Sequence, residues 1–129
     1  MTCFWDSLIC SIQNEDFKKI FNIDNNPSPK IFVEILKKNN RICNNVLWNN
    51  LEVSSQFLKE IKEAIDEYNI CNINNGYDCS SCDPFLFLIC EIFEINIKQS
   101  FNGINIEYLY KNNAKYTIHI KNDKGHCWT

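Results

Sequence analysis

The chain has 129 residues, 45% of them apolar, and a formal net charge of −3 from 13 basic and 16 acidic side chains. That length suits one domain, 1–129, with a core that needs no staples, and the charge gives no electrostatic case for nucleic acid as a partner. No apolar run reaches the roughly 18 residues of a membrane span, and the N-terminal stretch lacks the basic start and long apolar core of a signal peptide, so no membrane association and a cytoplasmic location are expected.

Taken in order, the sequence is helical first and strand-like later. Phe4, Trp5, Leu8, Ile9 and Ile12 recur at helical spacing, so an amphipathic helix starts at or just after Cys3. Phe17, Ile20 and Phe21 suggest a short second helix over 15–21, broken at Asp24-Asn25-Asn26-Pro27. Ser28-Pro29 reads as N-cap and first residue of a third, which carries Phe32, Ile35 and Leu36 and ends near Asn39-Asn40. From Arg41 to Glu52 the pattern is irregular and is read as a loop anchored by Val46, Leu47, Trp48 and Leu51.

Ser54 or Ser55 caps the next helix, with Phe57, Leu58, Ile61 and Ile65 on one stripe. Asn69 to Cys82 is rich in Asn and Cys and lacks periodicity; loops of that length in a small domain are usually functional or tied down. Asp83-Pro84 opens a helix, Phe85 to Phe93, that is apolar nearly all round and therefore central. Ile95 and Ile97 begin a strand, Asn102-Gly103 turns a hairpin, and Ile104, Ile106 and Tyr108 alternate on its far side. After Asn112-Asn113, Tyr116, Ile118 and Ile120 alternate with polar Thr117, His119 and Lys121, and Asp123-Lys124-Gly125 leads into a last short strand at His126. The expected fold is α+β: a helical lobe packed on a small antiparallel sheet.

Eight cysteines invite a disulfide or zinc reading. Cys10 and Cys90 fall in apolar helical patterns where a free thiol behaves as a small core residue. Cys79-Ser80-Ser81-Cys82 is a single closely spaced pair flanked by Cys71 and Cys90, whereas a structural zinc usually takes two such pairs. No metal and no cofactor are expected, and the pair is read as fixing the loop before the Asp83 helix.

Chemistry is expected at the two ends. Cys3 opens a helix, where unpaired N–H groups and the helix dipole favour a thiolate. The chain's two histidines are His119, on the polar side of a strand, and His126 in Gly125-His126-Cys127-Trp128-Thr129. A cysteine opening an early helix and a histidine opening a late strand follow the order of papain-like cysteine proteases. The bland alternatives are a core thiol at Cys3, a backbone-bonded His126, and core packing for Trp5 and Trp128.

A resemblance sharpens this expectation. The opening Cys3-Phe4-Trp5-Asp6-Ser7-Leu8, the run Gly76-Tyr77-Asp78-Cys79 to Asp83-Pro84-Phe85-Leu86-Phe87-Leu88, then Ile95-Asn96-Ile97, Asn102-Gly103, Tyr116-Thr117-Ile118-His119-Ile120 and Gly125-His126-Cys127-Trp128, resemble the ovarian-tumour (OTU) family of deubiquitinating cysteine proteases, above all its small viral members. The resemblance implies a papain-like, OTU-like fold, with Cys3 as nucleophile, His126 as base, and backbone N–H groups of Thr2 and Cys3 holding the oxyanion. It implies a narrow groove for a Gly-Gly tail, with Trp5 and Trp128 as lining candidates. Trp128 stands where the family commonly places the Asp or Asn that orients the histidine, so Asn122, Asp123 and Thr129 are the third-member candidates. The implied partner is ubiquitin, polyubiquitin or a ubiquitin-like modifier, met in a host-cell cytoplasm if the protein is viral. A rival expectation is a weak or inactive OTU-like module that binds ubiquitin or a host protein without cleaving it.

Overall fold

Capping chemistry sets the helix starts. The computed structural model describes residues 2–123 and 126–128, with His126 and Trp128 described in backbone and strand pairing alone. Helix α1 spans Cys3–Ser11 and α2 spans Asn14–Phe21, closed by Asn22 in the left-handed conformation at φ 57°. Helix α3 (Pro29–Lys38) begins with Pro29 at its first position, and the Ser28 hydroxyl oxygen accepts the Ile31 N–H at 3.3 Å. Ser54 caps α4 (Ser55–Glu67) in the same way through Phe57 N–H at 3.2 Å. Asp83 caps α5 (Pro84–Phe93), taking the Phe85 N–H at 3.0 Å. Within the loop before α5, Ile70–Asn75 winds into a 3-10 segment.

The strands are β1 (Val46–Trp48), β2 (Asn96–Phe101), β3 (Ile104–Tyr110), β4 (Thr117–Asp123) and β5 (His126–Trp128), in spatial order β1-β3-β2-β4-β5. Asn102 and Gly103, at φ 50° and 81°, turn the β2–β3 hairpin, both in the left-handed region that a primed turn requires.

Two expectations are corrected here. The sheet is mixed, because β2 and β4 pair in parallel, Ile97 opposite Ile118 and Gln99 opposite Ile120. The cause is β1: Val46, Leu47 and Trp48, read from sequence as loop anchors, pair with Tyr110, Leu109 and Tyr108 and so occupy the outer edge of β3. The chain leaving β3 therefore crosses to the free edge of β2 and runs alongside it in the same direction. Asn96 N–H to Tyr116 O at 3.0 Å and Lys115 N–H to Glu94 O at 2.9 Å secure that crossing. Asp16 on α2 receives Lys115 Nζ at 2.6 Å and the Tyr116 hydroxyl, tying the crossing to the helices.

Every residue of α5 from Phe85 to Phe93 is buried. It packs on β1, β2 and β3 on one side and on α3 and α4 on the other. Its one carboxylate, Glu91, accepts from the Asn45 backbone N–H at 2.9 Å and the Asn45 side chain at 2.8 Å, which satisfies a charge in the core and anchors the segment leading into β1. Trp5, Phe17, Phe32, Phe85 and Phe93 interlock edge to face around it. Each such side chain contributes about 1.5–3 kcal/mol of burial. Cys90 is a core thiol as expected, whereas Cys10 is exposed on α1. The architecture is α+β, and no helix among the described residues is long and apolar enough to cross a membrane.

Candidate active site

The two ends of the sequence meet. Helix α1 lies against β5 and the end of β4, and Ser7, one turn beyond Cys3, directs its hydroxyl to the Cys127 carbonyl oxygen at 3.5 Å. Cys3 is the first residue of α1, the Asp6 N–H closes the first helical bond on Thr2 O at 2.9 Å, and the Thr2 hydroxyl donates to the Asp6 carboxylate at 2.7 Å. The N–H groups at the start of a helix lack intrahelical acceptors, so this terminus carries donors and partial positive charge beside a partly exposed thiol.

Cys3 and Thr2 open onto a cavity of about 740 Å³. Its other walls are Phe4 and Trp5 of α1, the loop residues before α5, including Cys79, the β2–β3 turn, Asn122 and Asp123 at the end of β4, and Cys127 on β5. Asp123 is exposed and stands opposite His126 in the β4–β5 register; Asn122 is buried and stands opposite Cys127. Burial pushes the Cys127 thiol up from its ordinary range, with the neighbouring Cys3 adding to the rise.

Beneath the cavity lies a buried polar network. Asp83, fully buried, accepts the Tyr77 hydroxyl at 2.9 Å, Ser80 N–H at 3.2 Å and Phe85 N–H at 3.0 Å. Burial outweighs these bonds and raises its carboxyl to about 6. Burial, reinforced by the same carboxylate, pushes Tyr77 and Cys79 far above their ordinary ranges. Tyr108 takes the Asp83 N–H at 2.9 Å, and its own hydrogen lies between Gln99 Oε1 at 3.2 Å and the Ser81 carbonyl oxygen at 3.4 Å. Gln99 Nε2 donates to Asn122 Oδ1 and to Cys79 Sγ, both at 3.0 Å.

The sequence-derived candidates fall into three groups. Thr2, Cys3, Asn122 and Asp123 share the cavity. Trp5, buried among Phe4, Phe32, Tyr77 and Phe85, also lines the cavity, from its core side. His126 and Trp128 are placed by register, opposite Asp123 and Lys121, and their side chains, like Thr129, lie outside the described residues. His119 is exposed mid-strand, as its alternation predicts. Among the described residues no group of three or more His, Cys, Asp or Glu side chains converges as metal ligands.

Sequence reasoning missed Gln99, Tyr77 and Tyr108 as parts of one network with Asp83. The signal for Gln99 was its phase: two residues from Ile97 and from Phe101, it falls on the core-facing side of β2. Tyr77 gave no such signal, because it lies in a loop without periodicity. No protein family, curated relative or solved structure matches the chain.

Proposed function

We propose that the protein is a papain-like, OTU-like cysteine isopeptidase that cleaves after the C-terminal glycine of ubiquitin, in chains or on substrates, or of a ubiquitin-like modifier, in a cytoplasm. The observation that supports this reading is the packing of α1 on β5, which joins the helix-opening Cys3 to the strand carrying His126 at one cavity.

In this mechanism the Cys3 thiol passes its proton to His126, and the sulfur attacks the glycine carbonyl carbon. The carbonyl π pair moves to oxygen, where N–H groups of Thr2 and Cys3 stabilise it. Collapse breaks the C–N bond, and the leaving amine takes the proton from His126. Water, deprotonated by the same ring, then hydrolyses the thioester and frees Cys3. Asp123, on the cavity and opposite His126, is the third member best situated to orient the ring.

The test is a ubiquitin probe with an electrophile in place of its C-terminal carboxylate. A covalent adduct mapped to Cys3, and lost in Cys3→Ser, is expected. A folded protein that forms no adduct, or one that labels only exposed Cys10 or Cys71, would exclude the isopeptidase and favour the non-cleaving binder.

A further inference from the structure

Resting on that isopeptidase reading, we propose that the side-chain amide of Asn122 is a donor to the tetrahedral oxyanion, held in its donating orientation by Gln99. The argument begins at a group that can only donate, the Asp83 backbone N–H, which gives its hydrogen to Tyr108 Oη at 2.9 Å. The Tyr108 hydrogen has two acceptors, Gln99 Oε1 at 3.2 Å and the Ser81 carbonyl oxygen at 3.4 Å, and Gln99 is the nearer. With its oxygen so engaged, the Gln99 amide presents Nε2 to Asn122 Oδ1 at 3.0 Å. In this arrangement the Asn122 oxygen faces Gln99 and its NH₂ faces away.

The setting makes that orientation meaningful. Gln99 and Asn122 are 2% and 6% exposed, so their amides meet little competition from solvent. Asn122 nonetheless lines the cavity that Cys3 opens onto, beside Cys127, its partner in the β4–β5 register. An amide turned this way is poorly suited to orient a histidine, because the oxygen that would accept the ring N–H is engaged by Gln99. It is suited to stabilise negative charge. When Cys3 sulfur bonds to the carbonyl carbon, the displaced π pair sits on oxygen, and the Asn122 N–H donates to that oxygen. As the C–N bond breaks the pair returns to the carbonyl, and the N–H is released.

The experiment compares wild type with Asn122→Ala and Asn122→Asp on a fluorogenic amide of the ubiquitin C-terminus. It also measures affinity for the ubiquitin C-terminal aldehyde and the rate at which iodoacetamide alkylates Cys3. The aldehyde forms a tetrahedral adduct that needs the donor, whereas alkylation forms no oxyanion. The expected result is a kcat lowered by about 100-fold, a parallel loss of aldehyde affinity, and a KM and alkylation rate within about twofold of wild type. The Asp variant keeps the volume and the acceptor for Gln99, so it carries the test should the Ala variant lose its fold. Wild-type kcat in either folded variant overturns the proposal, and so does alkylation that falls in step with kcat, which would make Asn122 a support for the thiol. Failure of both variants to fold assigns Asn122 to packing and also overturns it. A wild-type protein with neither turnover nor a Cys3 adduct sinks the isopeptidase reading itself, and this role with it.

Discussion

Asp123 stands directly opposite His126 where β4 and β5 pair, and it lines the cavity on which Cys3 begins α1. On the isopeptidase reading, Asp123 would hold one ring N–H of His126, fixing the tautomer and stabilising the imidazolium formed when the thiol ionises. Asp123→Ala is therefore expected to lower kcat on a ubiquitin amide by about tenfold, against about 10²- to 10⁴-fold for His126→Ala. Because Asp123 is exposed, its thermal midpoint should hardly move. Undiminished turnover in Asp123→Ala would leave ring orientation to another group.

The thiols should separate sharply by reactivity. Cys10 and Cys71 are exposed, and Cys3 is partly so. Burial pushes Cys82 up to about 11 and Cys43 up to about 12, and it raises Cys79, Cys90 and Cys127 as well. Since the thiolate is the reacting species, each added pKa unit removes about nine-tenths of it at neutral pH. A short iodoacetamide pulse followed by peptide mapping should find Cys3, Cys10 and Cys71 labelled first. Cys43, Cys79 and Cys90 should react only after denaturation. Labelling of Cys79 as fast as Cys71 would show that the loop before α5 is open in solution.

What the sequence disclosed was local. Ser28-Pro29, Ser54 and Asp83-Pro84 begin helices because an oxygen in the right place satisfies a free N–H, and Asn102-Gly103 turns because its backbone tolerates positive φ. What it hid was pairing at a distance. A three-residue strand such as Val46–Trp48 is too short to display alternation, yet its place on β3 decides that β4 joins β2 and does so in parallel. The site divides along the same line. Cys3, Asn122 and Asp123 were legible as residue types in a telling order, whereas the chain from Asp83 through Tyr108 and Gln99 to Asn122 links four separate segments that only the fold assembles.

Trp5 tests the division between core and groove. It is fully buried against Phe32, Tyr77 and Phe85, so Trp5→Ala should cost about 3–5 kcal/mol in urea denaturation. Trp5→Phe is the finer probe. It leaves a smaller void and removes an indole N–H that has no hydrogen-bond partner among the described residues, a relief of about 1–3 kcal/mol that offsets part of the lost packing. Its net cost should stay below about 2 kcal/mol, with KM for a ubiquitin amide unchanged. A raised KM in the folded Phe variant would return Trp5 to the substrate groove.

Asp83 links stability to pH. Its carboxyl rises from an ordinary 3.8 to about 6 in the fold, because burial outweighs the hydrogen bonds it accepts. Below 3.8 it is protonated in both folded and unfolded chains, and its effect on stability is constant. Between 3.8 and about 6 the unfolded chain has released a proton that the folded chain still holds, so stability falls as pH rises, by roughly 3 kcal/mol across that window. Above about 6 both states are ionised and the loss is complete. Asp83→Asn cannot ionise, though it keeps an oxygen to cap α5. Other carboxylates titrate alike in both proteins, so the wild-type stability minus that of Asp83→Asn isolates this one group. Measured by urea denaturation from pH 4 to 7, that difference should decline between pH 4 and 6 and then level off. A difference that grows with pH over the same range would mean that the donors from Tyr77, Ser80 and Phe85 outweigh burial, with Asp83 held as a carboxylate throughout.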